Sequence, residues 1–140
     1  MKQVILVLSL ILVLINLESC KKDQTPVDAK LYNIWEVKEF ISLQSVNYPK
    51  NKDNKILITF KLDGTYQLKL DVNNGSGTFT SNIENLINVE IPVLTEACCD
   101  SEFSKKFAAL LPSVTSYSIK ETILNLNVPH WGTIKLELVK

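Results

Sequence analysis

Beyond Leu31, apolar and polar residues alternate with a period of two over most of the chain, the spacing expected of strands that bury one face. Ile34-Trp35-Glu36-Val37-Lys38 opens a first strand that continues to Leu43, and a polar loop follows over 44–54. Ile56, Ile58, Phe60 and Leu62 then share a face, opposite Thr59 and Lys61. Asp63-Gly64 predicts a hairpin, because glycine supplies the positive φ that tight strand connections need. It leads into Tyr66, Leu68 and Leu70, which alternate with Gln67 and Lys69. The run Asn73 to Gly77 is made of turn formers and predicts the next turn, with a short strand at Thr78–Ser81. A further strand is expected over Leu86–Val93, and three more over Val114–Ile119, Thr122–Val128 and Thr133–Val139.

Only one segment has helical spacing. Phe103, Phe107, Leu110 and Leu111 recur at i, i+4, i+7 and i+8, Asp100 is placed to cap the start and Pro112 to stop the end. This predicts one short helix at about residues 101–111. About eight short strands with one polar and one apolar face make an antiparallel sheet that is wet on one side. Such a sheet closes into a barrel or splits into a sandwich. The fold class is therefore mainly β.

The first 19 residues follow a different rule. Lys2 precedes a predominantly apolar run from Val4 to Ile15, and small Ser19 stands directly before Cys20. That run falls within the roughly 7–15 residues of a signal-peptide core and short of the ~20 needed to cross a bilayer. Leu17-Glu18-Ser19-Cys20 resembles a bacterial lipobox, in which the cysteine is acylated and the leader is cut before it. The alternative is an ordinary secretory signal with a cysteine nearby. Cleavage before Cys20 would leave residues 20–140, of which 20–30 are a polar lipidated tether and 31–140 a single domain. The implied address is the envelope of a Gram-negative-type bacterium. Lys21 after the cysteine resembles outer-membrane sorting.

The charge balance narrows the partners. Formal net charge is zero and all 15 basic residues are lysine. Without arginine, the residue suited to bidentate phosphate recognition, and without net positive charge, nucleic-acid binding is not expected.

Three stretches carry a family resemblance. Asp71 to Phe79 aligns without gaps on the pattern G-C-N-x-x-x-G-x-[YF], keeping Asn73, Gly77 and Phe79. Thr95-Glu96-Ala97-Cys98-Cys99 resembles T-x-x-x-C and is followed by Glu102 and the helix. Trp35-Glu36-Val37 supplies an early W-x-V, and Tyr117 onward is similar to closing strands ending in a hairpin with Gly132. Together they resemble the META domain, or HslJ-like, family of bacterial envelope lipoproteins, over Leu31 to Lys140. The resemblance implies a small lipocalin-like antiparallel barrel and an envelope role in integrity or stress tolerance. It implies no catalytic residues. The family's G-C is here Asp71-Val72, so its first cysteine is missing. Asn73 and Gly77 have backbone explanations, a left-handed conformation and a positive φ.

Cys98-Cys99 is the most unusual local feature. With Cys20 lipidated, these two have no other cysteine to pair with. A vicinal disulfide and two free thiols both remain open, and a redox pair is the functional reading. The plainer reading is that Cys99 holds a family position whose partner became Val72. His130, the single histidine, falls in the predicted turn Pro129-His130-Trp131-Gly132, too few donors with the cysteines for a zinc site. Trp35 and Trp131 are expected to cover the barrel's ends. Asp63, Asp71, Asp100 and Glu102 fall in turns or at the helix start, where they cap, and none has a reason to be buried in a pair. No cofactor motif is present. The expected function is a non-enzymatic, membrane-anchored domain that contacts an envelope protein. The alternative is a module holding a small apolar ligand inside the barrel, against which stand the bulky inward side chains Ile56, Ile58, Phe60, Tyr66, Leu68, Leu70, Leu124, Leu126 and Leu136.

Overall fold

The computed structural model describes residues 29–44, 46–50 and 53–140. The leader, Cys20 and most of the tether lie outside the described residues. After a 3-10 turn at Ala29–Leu31 the strands are β1 (Ile34–Ser42), β2 (Leu57–Phe60), β3 (Thr65–Lys69), β4 (Asn74–Ser81), β5 (Ile87–Val89) and β6 (Val93–Leu94). The helix α1 (Glu102–Leu110) and a second 3-10 turn (Leu111–Ser113) come next, then β7 (Ser116–Lys120), β8 (Ile123–Val128) and β9 (Gly132–Leu138). All pairings are antiparallel, in the order β5-β4-β3-β2-β1-β9-β8-β7, with β6 a short extra strand on β4. The two outer strands approach through a bridge between Leu86 and Ser116. Backbone bonds from Ile87 N to Thr115 O and from Tyr117 N to Asn85 O flank it, so eight strands nearly close a barrel.

The alternation explains the closure. Trp35, Val37, Ile58, Phe60, Tyr66, Leu68, Phe79, Leu124, Leu126, Ile134 and Leu136 point inward and are all buried. Removing such side chains from water contributes about 1.5–3 kcal/mol each. The nine inward residues expected from the pattern are 0–3% exposed, so the interior is packed with side chains. Trp35 donates its indole N–H to the carbonyl of Leu31 at 3.0 Å, tying the entering chain to the core.

The strands give the barrel two distinct ends. The entry end holds residues 29–33, the β2–β3 turn, the β4–β5 loop and the β7–β8 turn. The helix end holds the long β1–β2 loop, the β3–β4 turn, residues 90–101, α1 and the β8–β9 turn. A bulge in β1, between Val37 and Glu39, switches the strand's inward parity. Phe40 therefore faces the helix end, stacked on Phe103 with ring centroids 4.4 Å apart and edge-on to Trp131 at 5.6 Å. Ile41 and Leu43 are turned to solvent. Lys106 of α1 lies 5.3 Å from the Trp131 ring centroid, so Trp131 covers this end.

Several expectations are corrected. The segment Asn73–Gly77 is not a turn: β4 already begins at Asn74. Gly77 has no positive φ. A side-chain carbon there would lie 2.6 Å from the Tyr66 ring, so glycine is required by close approach. Leu86–Val93 is not one strand but β5 and the start of β6, separated by the irregular residues Glu90–Pro92. Leu62 leaves the buried face and sits exposed in the β2–β3 turn, where Gly64 takes φ +79° and the Asp63 carboxylate accepts from Thr65 N at 2.9 Å. The helix is capped by Ser101, whose hydroxyl accepts from Ser104 N, rather than by Asp100, and Pro112 stands in the 3-10 turn after it.

Candidate functional site

The helix end gathers most of the residues that the motifs singled out. Asn73, at the start of β4, is buried. Its side-chain oxygen accepts from the Thr95 hydroxyl and from Ala97 N, both at 2.8 Å. Its amide donates to Ala97 O at 2.7 Å and to Asp100 Oδ2 at 2.6 Å. The other oxygen of Asp100 accepts from Val72 N at 2.8 Å and Asn73 N at 3.2 Å. The chain from Thr95 to Asp100 is thereby wrapped around one asparagine. Asn73 is not left-handed; its role is this crosslink, not its own backbone.

Asp71 forms a second clamp. Asn54 donates to its Oδ1 at 2.9 Å, while Ser101 N at 3.0 Å, the Ser101 hydroxyl and the Ser104 hydroxyl at 2.6 Å converge on Oδ2. Burial pushes the Asp71 carboxyl up, but the bonds from Ser101, Ser104 and Asn54 outweigh it and hold the pKa at about 2. Asp71 thus accepts from Ser101 and Ser104, and Asp100 from Val72 and Asn73, where the sequence suggested only turns and a helix cap. Each carboxylate oxygen is already engaged by donors, which suits a structural anchor.

Cys98 and Cys99 sit exposed on the loop this network holds, and their sulfurs are joined as a vicinal disulfide. Cys99 takes φ +86°, and the next residue is the clamped Asp100. An exposed disulfide is open to exchange with a dithiol. Val72 bonds through its N–H to Asp100, so the position of the lost family cysteine is tied to the residue after Cys99. His130 is an exposed turn residue with φ +61°. Among the described residues, no three His, Cys, Asp or Glu side chains are grouped as a metal ion would need.

Beside the network, the outer face of the sheet carries a groove of about 630 Å³. Thr59, Gln67 and Ser76 lie along it, with Ile34, Val93 and Leu94 among its apolar lining. β6 forms one wall, and the Leu94 side chain occupies the space above Gly75. Neither the groove nor the Asn73 hub was expected from the sequence. The only signal for the hub was that Asn73 and Thr95 belong to the same two-part pattern.

A family model described as the META domain matches residues 29–136. The chain belongs to the META domain family. The two halves of its pattern meet physically here, Thr95 on Asn73, so in this META domain they are parts of one crosslink. Among solved structures, the META domain is similar to a DUF4847 family protein from Bacteroides vulgatus, with 19% identity, a TM-score of 0.58, and coverage of 76% of this chain and 92% of that one. It is also similar to a protein from Burkholderia xenovorans solved by NMR, with 11% identity, a TM-score of 0.62, and coverage of 79% and 86%. At these identities the likeness is one of fold. No curated protein matches the chain.

Proposed function

We propose that this META domain is a lipid-anchored envelope protein that acts without catalysis, through its outer surface, in envelope integrity or stress tolerance. The observation that carries the reading is the packed interior: Ile58, Tyr66, Leu124, Leu126 and Leu136 belong to one core cluster and are 0% exposed. A lumen ligand would have to displace them. The outer groove and the short strand β6 beside it offer exposed apolar side chains, Val93 in β6 and Ile91 just before it. That combination suits an extended protein segment.

The lipid anchor rests on Cys20 and its leader. In host cells, Cys20→Ala is expected to move the protein from the membrane to the soluble fraction; retention in the membrane after the leader has been cleaved would overturn the anchor. The surface reading is tested with a photocrosslinking residue in place of Gln67, in the groove, or of Asn125, on β8. A discrete protein adduct at 67 and none at 125 is the expected result. Native mass spectrometry that shows a stoichiometric apolar ligand on the purified domain would reverse the ranking in favour of a binding module.

A further inference from the structure

We infer that the entry end of the barrel is the face this domain turns to the bilayer, with Leu62 and Ile83 entering the lipid interface. The inference rests on the lipid-anchor reading of Cys20 and deepens it. Leu62, in the β2–β3 turn, is 81% exposed, and Ile83, in the β4–β5 loop, is 60% exposed. Both belong to the end where the chain enters. Phe60 N bonds to Asn33 O at 3.1 Å, Phe79 N to Gly64 O at 2.8 Å, and Tyr32 packs on Phe79 with ring centroids 6.4 Å apart. The turn itself uses Asp63 and Gly64; nothing in it requires a leucine.

Exposure alone does not choose this end, because Leu43 at the helix end is 80% exposed. The tether chooses. Residues 21–28 separate the acylated cysteine from Ala29, and nine Cα–Cα steps reach at most about 30 Å. β1 then carries the chain away from this end over nine residues. The entry end is therefore held near the headgroups at high effective concentration, where even a weak apolar contact is populated. Charge is secondary: Lys30, Lys61, Lys120 and Lys140 at this end stand against Asp63, Glu84 and Glu121. The contact should accordingly be insensitive to salt and to anionic lipid. The Cys98–Cys99 loop then faces away from the membrane, and the groove opens along the side wall between the two ends.

The test uses the intact lipoprotein in vesicles of phosphatidylethanolamine and phosphatidylglycerol. An environment-sensitive fluorophore is placed at Leu62→Cys, Ile83→Cys or Leu43→Cys in separate proteins, the native disulfide being unreactive to the maleimide. The labels at 62 and 83 should brighten severalfold and be quenched by spin-labelled lipid, equally at 0.05 and 0.5 M salt, while the label at 43 stays unquenched. Quenching at 43 rather than 62, or at neither end in a protein that cofractionates with vesicles, overturns the inference. If Cys20→Ala remains membrane-bound in cells after its leader has been cleaved, the anchor reading has failed separately; quenching at 62 and 83 in that variant would still uphold the face, and its absence would end it.

Discussion

Asn73 carries four side-chain hydrogen bonds in a buried setting, and they join segments more than twenty residues apart. Truncating it strands the Thr95 hydroxyl, two backbone groups and part of a buried carboxylate. Asn73→Ala should therefore destabilise the domain by about 2–4 kcal/mol, lowering the thermal midpoint by roughly 10 °C or more. Cys98→Ser with Cys99→Ser should lower it by only a few degrees, since both side chains are exposed and lie outside the barrel. Calorimetry that ranks the two in the opposite order would remove Asn73 from the centre of this account. Asp71 gives the acid side of the stability curve. Its folded pKa, about 2, is depressed below the unfolded value of about 3.9. Its contribution is thus complete above about pH 4 and fades as pH falls toward 2. After allowance for solvent screening it is on the order of 1–2 kcal/mol. Asp71→Asn should flatten the stability profile across that window, measured by denaturant unfolding.

At the scale of elements, β4 shows how glycine separates from turn chemistry. Gly77→Ala must push against the ring of Tyr66, which is fully buried and donates its hydroxyl to Glu90 O at 2.6 Å. Gly75→Ala meets first the far end of the exposed Leu94 side chain, with Val93 O next at 3.2 Å. Gly77→Ala should cost about 2–4 kcal/mol and Gly75→Ala clearly less; equal losses in chemical denaturation would contradict the packing explanation. The period-two pattern made β2, β3, β8 and β9 legible to within a residue or two, because each alternates against a uniform core. The helix was equally plain from its phenylalanines. β4 was misread because the reason for its glycines, a tyrosine ring crossing from β3, is not local. The parity switch in β1 was also hidden: a bulge is one surplus residue, and nothing in Val37-Lys38-Glu39 marks it. The Asn73 hub joins residues that only the folded chain brings together, so its sequence trace was limited to two fragments of a family pattern without a stated physical link.

For the molecule as a whole, polarity is the organising property. One end receives the chain, and the other gathers the helix, the aromatic cluster, the carboxylate clamps and the disulfide. The side wall between them has a groove. The closure is the thinnest part of the whole. Leu86 and Ser116 form one bridge with a few flanking backbone bonds, whereas β1 and β9 pair over seven partners. Native-state hydrogen exchange should find the amides of Ile87 and Tyr117 among the least protected of the paired strands; protection equal to that of Val37 or Leu136 would show the seam to be as firm as the rest. The seam also has a meaning in time. The strands on either side of it assemble from neighbours in sequence, β2 through β5 in one meander and β7 through β9 in another. The bridge must wait until residues 90–115 have made their excursion through the helix. The two meanders meet twice, along the broad β1–β9 pairing and at this single bridge, so a local opening that starts at the bridge parts the ring with the fewest bonds broken.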